Sequence, residues 1–251
     1  STNNNGESLV AWCWKAGGAA VTNNDGSVES QVSVNTEAGF SIVTFSGSGN
    51  RTIGHGLGVA PQVIIMKGRN VSDQWTVGHD HLEASNSWHK GQPLNNATSN
   101  QDNATFWNDT APTSTVFSKG TWDDGYNMVA YCWAEVPGYS KFGSYTGNGS
   151  TDGPFVFTGF RPAFILWKPT TQNSTDWVLM DSTRDTSNPL DTYLLGNSSG
   201  PGGTLVIMDF LSNGFKLRQV SGNNEDGETI IFMAFAERPS GTMFGLDANA
   251  R

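Results

Sequence analysis

His79 and His81 stand two residues apart around Asp80, so an extended backbone turns both imidazoles toward one face. That would be part of a metal site only with at least one more ligand brought by the fold, such as His89 or Asp73. Glu135 and Glu237 are carboxylates of the kind a glycosidase sets on either side of a glycosidic bond, yet each closes an apolar run and reads more simply as structural. Cys13 and Cys132 are too few for a zinc centre, and both sit in apolar runs, "LVAWCW" and "MVAYCW", as buried reduced thiols do. A bond between them requires neighbouring strands and a shared face. The glycines of "GSGNRTIGHGLG" precede a strand-like run that starts at a proline, whereas a dinucleotide loop must open a helix. Asp25, Asp123, Asp124, Asp226 and Asp247 fall in Gly- and Asn-rich turns without the regular spacing of a calcium loop. With no P-loop or HExxH pattern, the expectation is no catalytic residue, no cofactor and no metal.

Aromatic side chains are the stronger candidates for contact with a ligand. Nine Trp occur in 251 residues. Trp88, Trp107 and Trp122 lie in loop-like contexts, and the long amide-rich stretch 82–111 carries the first two. An exposed indole covers the apolar face of a sugar while amides satisfy its hydroxyls. The expected ligand-contacting residues are therefore Trp88, Asn95, Asn96, Gln101 and Trp107. Trp12, Trp14, Trp75, Trp133, Trp167 and Trp177 lie in strand-like runs and read as core or as contacts between modules.

These residues need a scaffold, and composition limits its kind. Charged residues make up 15%, against roughly 25% in ordinary soluble proteins. Asn, Ser, Thr and Gly must build much of the polar surface, a mixture that disfavours helices. Fourteen basic against 23 acidic residues leave a net charge of −9, which argues against nucleic acid and anionic membrane as partners. No apolar run approaches the roughly 18 residues of a membrane span, so no membrane insertion is expected.

The chain repeats itself. "GLGVAPQVIIMK" at 56–67 returns as "FTGFRPAFILWK" at 157–168, placing Pro61 over Pro162 and Lys67 over Lys168; Trp75 falls over Trp177. "DDGYNMVAYCWAEVPG" at 123–138 matches "EDGETIIFMAFAERPSG" at 225–241, and "NGESLVAWCWKAGG" at 5–18 is a third copy of that closing run. Short β-branched and aromatic runs between Gly, Asn, Asp and Pro make the chain all-β. In "VAYCW", Val129, Tyr131 and Trp133 alternate with Ala130 and Cys132, so both faces are apolar and the strand is covered on both sides. The fold expected is a tandem of β-sandwich modules with a repeat of about 100 residues. Its parts are a closing strand of a preceding unit (1–18), module one (19–138), module two (139–241) and a C-terminal tail (242–251). The N-terminal run should pair in a sheet, because an isolated strand invites aggregation.

The strings "VAWCWKAGG" (10–18), "NTEAGFSIVTFSGSG" (35–49), "IGHGLGVAPQVIIMK" (53–67), "TAPTSTVFS" (110–118), "VAYCWAEVPGYSKFGSYTGNGSTDGPFVFTGFRPAFILWK" (129–168) and "DFLSNGFKLR" (209–218) resemble a family of repeated β-rich modules. That family occurs in tail-fibre and other virion structural proteins of marine, cyanophage-like bacteriophages. The resemblance implies a non-enzymatic component of a tail fibre or spike on the virion surface, contributing to host recognition. It also implies a homo-oligomer, a trimer foremost, or assembly with other virion proteins, and a bacterial surface glycan or protein as partner. A spacer or capsid decoration without a ligand, and a glycan-degrading or carbohydrate-binding module, stand as alternatives.

Overall fold

The computed structural model describes residues 10–122, 124–200 and 202–237. The expected tail 242–251 and the turn residues Asp123 and Asp247 lie outside the described residues, as do positions 1–9 of the N-terminal run. Regular structure among the described residues is almost wholly β. The first half of the chain forms β1 (Val21–Asn23), β2 (Ser30–Asn35), β3 (Phe40–Phe45), β4 (Arg51–Gly54), β5 (Val63–Gly68), β6 (Thr76–His79), β7 (Lys90–Pro93), β8 (Gln101–Asp102), β9 (Val116–Lys119) and β10 (Met128–Trp133). A single 3-10 turn, Ser87–His89, interrupts them. The second half forms β11 (Ser140–Thr146), β12 (Phe155–Phe157), β13 (Pro162–Pro169), β14 (Val178–Asp181), β15 (Leu190–Leu195), β16 (Gly203–Leu211), β17 (Gly214–Leu217) and β18 (Thr229–Ala236).

These strands make two large antiparallel sheets, one of them nearly closed into a barrel. The first runs β1-β2-β3-β10-β5-β6-β7-β8 and is accompanied by the pair β4-β9; the second runs β11-β18-β13-β14-β15-β16-β17-β12. The alternation expected for β10 is present. Met128, Ala130 and Cys132 enter one apolar cluster with Ile64, Met66, Phe117 and Trp107, while Tyr131 and Trp133 turn to another. β18 divides likewise, with Ile230, Phe232 and Ala234 facing a core of their own half and Ile231, Met233 and Phe235 facing outward from it.

The outward faces meet each other. Phe40, Val63, Ile65, Val77 and Trp133 of the first sheet share one cluster with Phe142, Phe164, Leu166, Trp177, Leu179 and Phe235 of the second. Strands that are apolar on both faces are thereby explained: one face closes the core of its own half and the other closes the contact between halves. Polar groups reinforce that contact, for Trp177 Nε1–H donates to Pro93 O at 2.6 Å and Asn100 N–H to Thr170 O at 2.8 Å.

The N-terminal run departs from expectation. Residues 10–18 form no strand and join neither sheet. The segment lies extended, held where Ser33 Oγ donates to Gly18 O at 2.7 Å and Asn35 Nδ2 donates to Lys15 O at 3.2 Å. Its alternation is put to a different use: Trp12, Trp14 and Ala16 pack against the cluster between the sheets, and Trp14 makes edge contacts with Trp133, Phe164 and Phe235. Anchoring two indoles removes their surface from water without a ladder, which is why the run needs no strand partner. Cys13, on the opposite side of this segment, is exposed, against the expectation of a buried thiol; Cys132 is buried, both are free, and burial pushes the Cys132 thiol up to about 12.

Candidate functional site

The stretch 82–111 does not present its tryptophans to solvent. Trp88 is 3% exposed and Trp107 0%, and the two rings meet edge to face at 5.3 Å inside the first core. Trp88 Nε1–H donates to Asp80 Oδ1 at 2.7 Å and Trp107 Nε1–H to Lys90 O at 3.0 Å, so each indole is satisfied as it is buried. The expectation that these rings face a ligand is corrected. The cause lies on the neighbouring strand. Gly78 in β6 offers no side chain, and a Cβ there would sit 2.5 Å from the Trp88 ring and 2.8 Å from that of Trp107. Trp122 also turns inward, packing edge to face on Phe106 at 5.3 Å.

The amides of the same stretch work locally. Asn95, exposed, accepts the Trp75 backbone N–H at 2.9 Å; Asn96 Oδ1 accepts from Thr98 N–H at 3.0 Å; Gln101 Oε1 accepts from Gln74 Nε2 at 3.1 Å. Ser99 N–H reaches Asn173 Oδ1 of the other half at 3.1 Å. The stretch is thus part core, part tie between the halves. Of the five expected contact residues, Asn95 stands closest to an open surface, through its bond to Trp75.

That surface is an aromatic cleft where the sheet contact opens. Trp14, Phe40, Ile42, Ile65, Trp75, Leu94, Tyr131 and Trp133 line a cavity of about 300 Å³. Trp75 lies nearly parallel to Tyr131, with centroids 6.3 Å apart and planes 21° from coplanar, and Tyr131 is 6.2 Å from Trp133. The side-chain Nε1–H of Trp133 is buried and has no acceptor among the described residues. Sequence reasoning assigned Trp14, Trp75 and Trp133 to packing; their strand-like runs carry no mark of a gap at the junction of the halves. A second cavity, a crevice of about 470 Å³, lies where His81, Leu82, Glu83, Lys90 and Asn100 face Ser144, Tyr145, Thr146, Thr170 and Thr229.

The histidines separate into two kinds. His79 is 1% exposed, its Nε2–H donates to Phe232 O across the contact at 3.2 Å, and its Nδ1 accepts from His81 N–H at 3.1 Å. Burial drives its pKa down to about 3, so this imidazole is neutral. His55 is held similarly, between Thr113 O and the Leu57 N–H, and burial lowers it too. Neither ring is free to ligate, and among the described residues no group of three or more His, Cys, Asp and Glu is arranged to hold a metal.

His89 is the opposite case. Its two ring nitrogens contact Asp109 and Asp102, and Lys90 lies 3.6 Å from Asp102 and 3.8 Å from Glu83. The hydrogen bond to Asp109 raises its pKa above 6.5 and the Asp102 charge adds to this. The sign follows: protonated His89 ties the stretch together below pH 6.5, and the tie is lost as pH rises through the raised pKa. A proton NMR titration of His89 is expected to give a midpoint above 6.5, moving down in Asp109→Asn. An unchanged midpoint in the variant would show that Asp109 does not hold the proton.

Glu135 is structural, as its place in sequence suggests. Its Oε1 accepts the Phe142 N–H at 2.8 Å and its Oε2 pairs with Lys141 at 3.0 Å, bracing the connection into β11.

No curated protein and no solved structure matches the chain. A protein-family model described as a domain of unknown function (DUF7483) matches residues 1–239.

Proposed function

This chain belongs to the DUF7483 family, a domain of unknown function, and on that premise we propose that it is a non-enzymatic module of an external virion appendage whose aromatic cleft takes the apolar face of a bacterial surface glycan. The observation that carries this reading is the cleft itself: Trp14, Trp75, Tyr131 and Trp133 converge on one partly open cavity. Stacked rings complement the axial C–H face of a sugar, and Asn95 stands beside Trp75 for its hydroxyls. Such a site needs little charge, in keeping with a chain that is 15% charged.

The scaffold in this proposal is a tandem of β-sandwich modules, 19–138 and 139–241, the latter described as far as residue 237. Strand order supports it: β3-β10-β5-β6-β7 in one half corresponds to β11-β18-β13-β14-β15 in the other, and β4-β9 to β12-β17. Backbone bonds recur at the repeat offset. Trp75 N–H donates to Asn95 Oδ1 at 2.9 Å and Trp177 N–H to Asn197 Oδ1 at 2.8 Å, 102 residues on at both ends. Asp80 N–H to Gln62 O at 3.0 Å is answered by Ser182 N–H to Ala163 O at 2.9 Å. Assembly as a homo-oligomer, a trimer foremost, or with other virion proteins belongs to the same proposal, and exposed Phe155 and Phe157 on the edge strand β12 offer apolar surface for it.

The test is binding of fluorescently labelled protein to host cells and to their extracted surface polysaccharide, with light scattering on the same preparations. Trp75→Ala with Tyr131→Ala is expected to lower affinity at least tenfold while circular dichroism is unchanged. Undiminished binding by the folded double variant moves the site elsewhere. No binding by the parent chain favours a spacer or decoration role, and a monomer at every concentration removes the oligomer.

A further inference from the structure

The two sheets treat corresponding strands differently. β3 is flanked by β10 and by β2, and β2 is continued by β1. Among the described residues β11 pairs with β18 alone and ends its sheet. The chain explains why: the stretch between Trp133 and Ser140 is too short to supply another strand pair, whereas residues 19–39 precede β3.

In an antiparallel ladder, backbone groups point alternately toward and away from a given neighbour. Ser140 and Phe142 face away from β18, since Ser140 N–H donates to Val136 O at 2.9 Å and Phe142 N–H to Glu135 Oε1 at 2.8 Å. By the same alternation Ser144 and Thr146 also face away. There the cover supplied by the described residues stops. Both residues are exposed and line the crevice of about 470 Å³, opposite Glu83, Lys90 and Asn100. On the first sheet the position matching Ser144 is filled, with Thr44 paired to Gln31 of β2.

We propose that the open edge of β11 at Ser144 and Thr146 receives an extended peptide strand from a partner chain, in the place that β2 occupies on β3. Backbone N–H and C=O groups of the edge supply the recognition, and the crevice selects what accompanies them. Its hydroxyls and its Glu83 and Lys90 wall suit a polar residue such as Gln31 of β2, which lies opposite Thr44. The recessed position also limits flat pairing with another sheet, the usual hazard of an open edge. The correspondence of β3 with β11 rests on the tandem reading above; the open edge at Ser144 does not.

The probe is a synthetic peptide of residues 28–37, VESQVSVNTE, titrated into the whole nitrogen-15-labelled chain. In the free chain the Ser144 and Thr146 amides are expected to exchange with solvent faster than those of Gly143 and Tyr145, and the peptide is expected to slow and shift them. Ser144→Pro removes an N–H that the fold leaves unused, and proline is tolerated at such a position on an edge strand. This variant should keep its unfolding midpoint and lose tenfold or more in peptide affinity, whereas the Trp75→Ala, Tyr131→Ala variant should bind the peptide unchanged. Slow exchange at Ser144 and Thr146 in the free chain, no peptide binding, or equal binding by Ser144→Pro would each overturn the proposal. The exchange measurement decides the matter even if the proline variant fails to fold.

Discussion

Trp177→Ala is expected to cost about 3–5 kcal/mol, the range for truncating a fully buried aromatic ring. Trp177 is 1% exposed and sits in the cluster shared by the two sheets. Two losses combine there. A cavity opens between two sheets that cannot both relax, and Pro93 O, buried at the contact, loses the N–H that it accepts at 2.6 Å. Urea unfolding should show a lower midpoint. A fall in slope as well would mean that the halves no longer unfold together. A shift worth less than about 1 kcal/mol would show that the contact contributes little to the fold. Trp75→Ala, at the matching position of the repeat, should cost less, because Trp75 borders an open cleft and is only partly buried.

Acid is expected to act through His79. Its pKa is held at about 3 in the fold by burial, against an ordinary 6.5 in the unfolded chain. Between those values the unfolded state binds the extra proton, so stability rises with pH and falls as pH drops from 6.5 toward 3. The slope for one proton is about 1.4 kcal/mol per pH unit, and the acidic residues add their own terms below about pH 5. His79→Gln removes the titration at this site. The gap in stability between wild type and His79→Gln is therefore expected to narrow, then reverse, as pH falls. Parallel curves for the two proteins would mean that the buried ring takes up its proton without cost.

The two residues behind these expectations also mark how far the amino-acid sequence reaches. β10 and β18 were legible because side-chain alternation in a strand is local: "MVAYCWAE" and "TIIFMAFAE" state in consecutive residues that both faces are apolar. The covered strand and the all-β class followed from that same local information. Trp88 and Trp107 were misread because their polar neighbours describe a loop and say nothing of Gly78, which leaves room for both rings on the adjacent strand. The run "VAWCW" was misread for the same reason in reverse. Its alternation is that of a strand, but residues 10–18 meet β2 through the Ser33 and Asn35 side chains without forming a ladder, and the run uses its two indoles to cover a contact instead.

Sequence by itself therefore determined which residues alternate, where the chain turns and that its elements are β-strands. Only the tertiary structure decided that the outward faces of the two sheets meet, that His79 spends its N–H on a carbonyl 153 residues away, and that Trp75 and Tyr131 border a gap while Trp177 does not. Periodicity reports which side of a strand is apolar. It carries no information on what covers that side, because the covering surface comes from distant residues whose position depends on every connection between them.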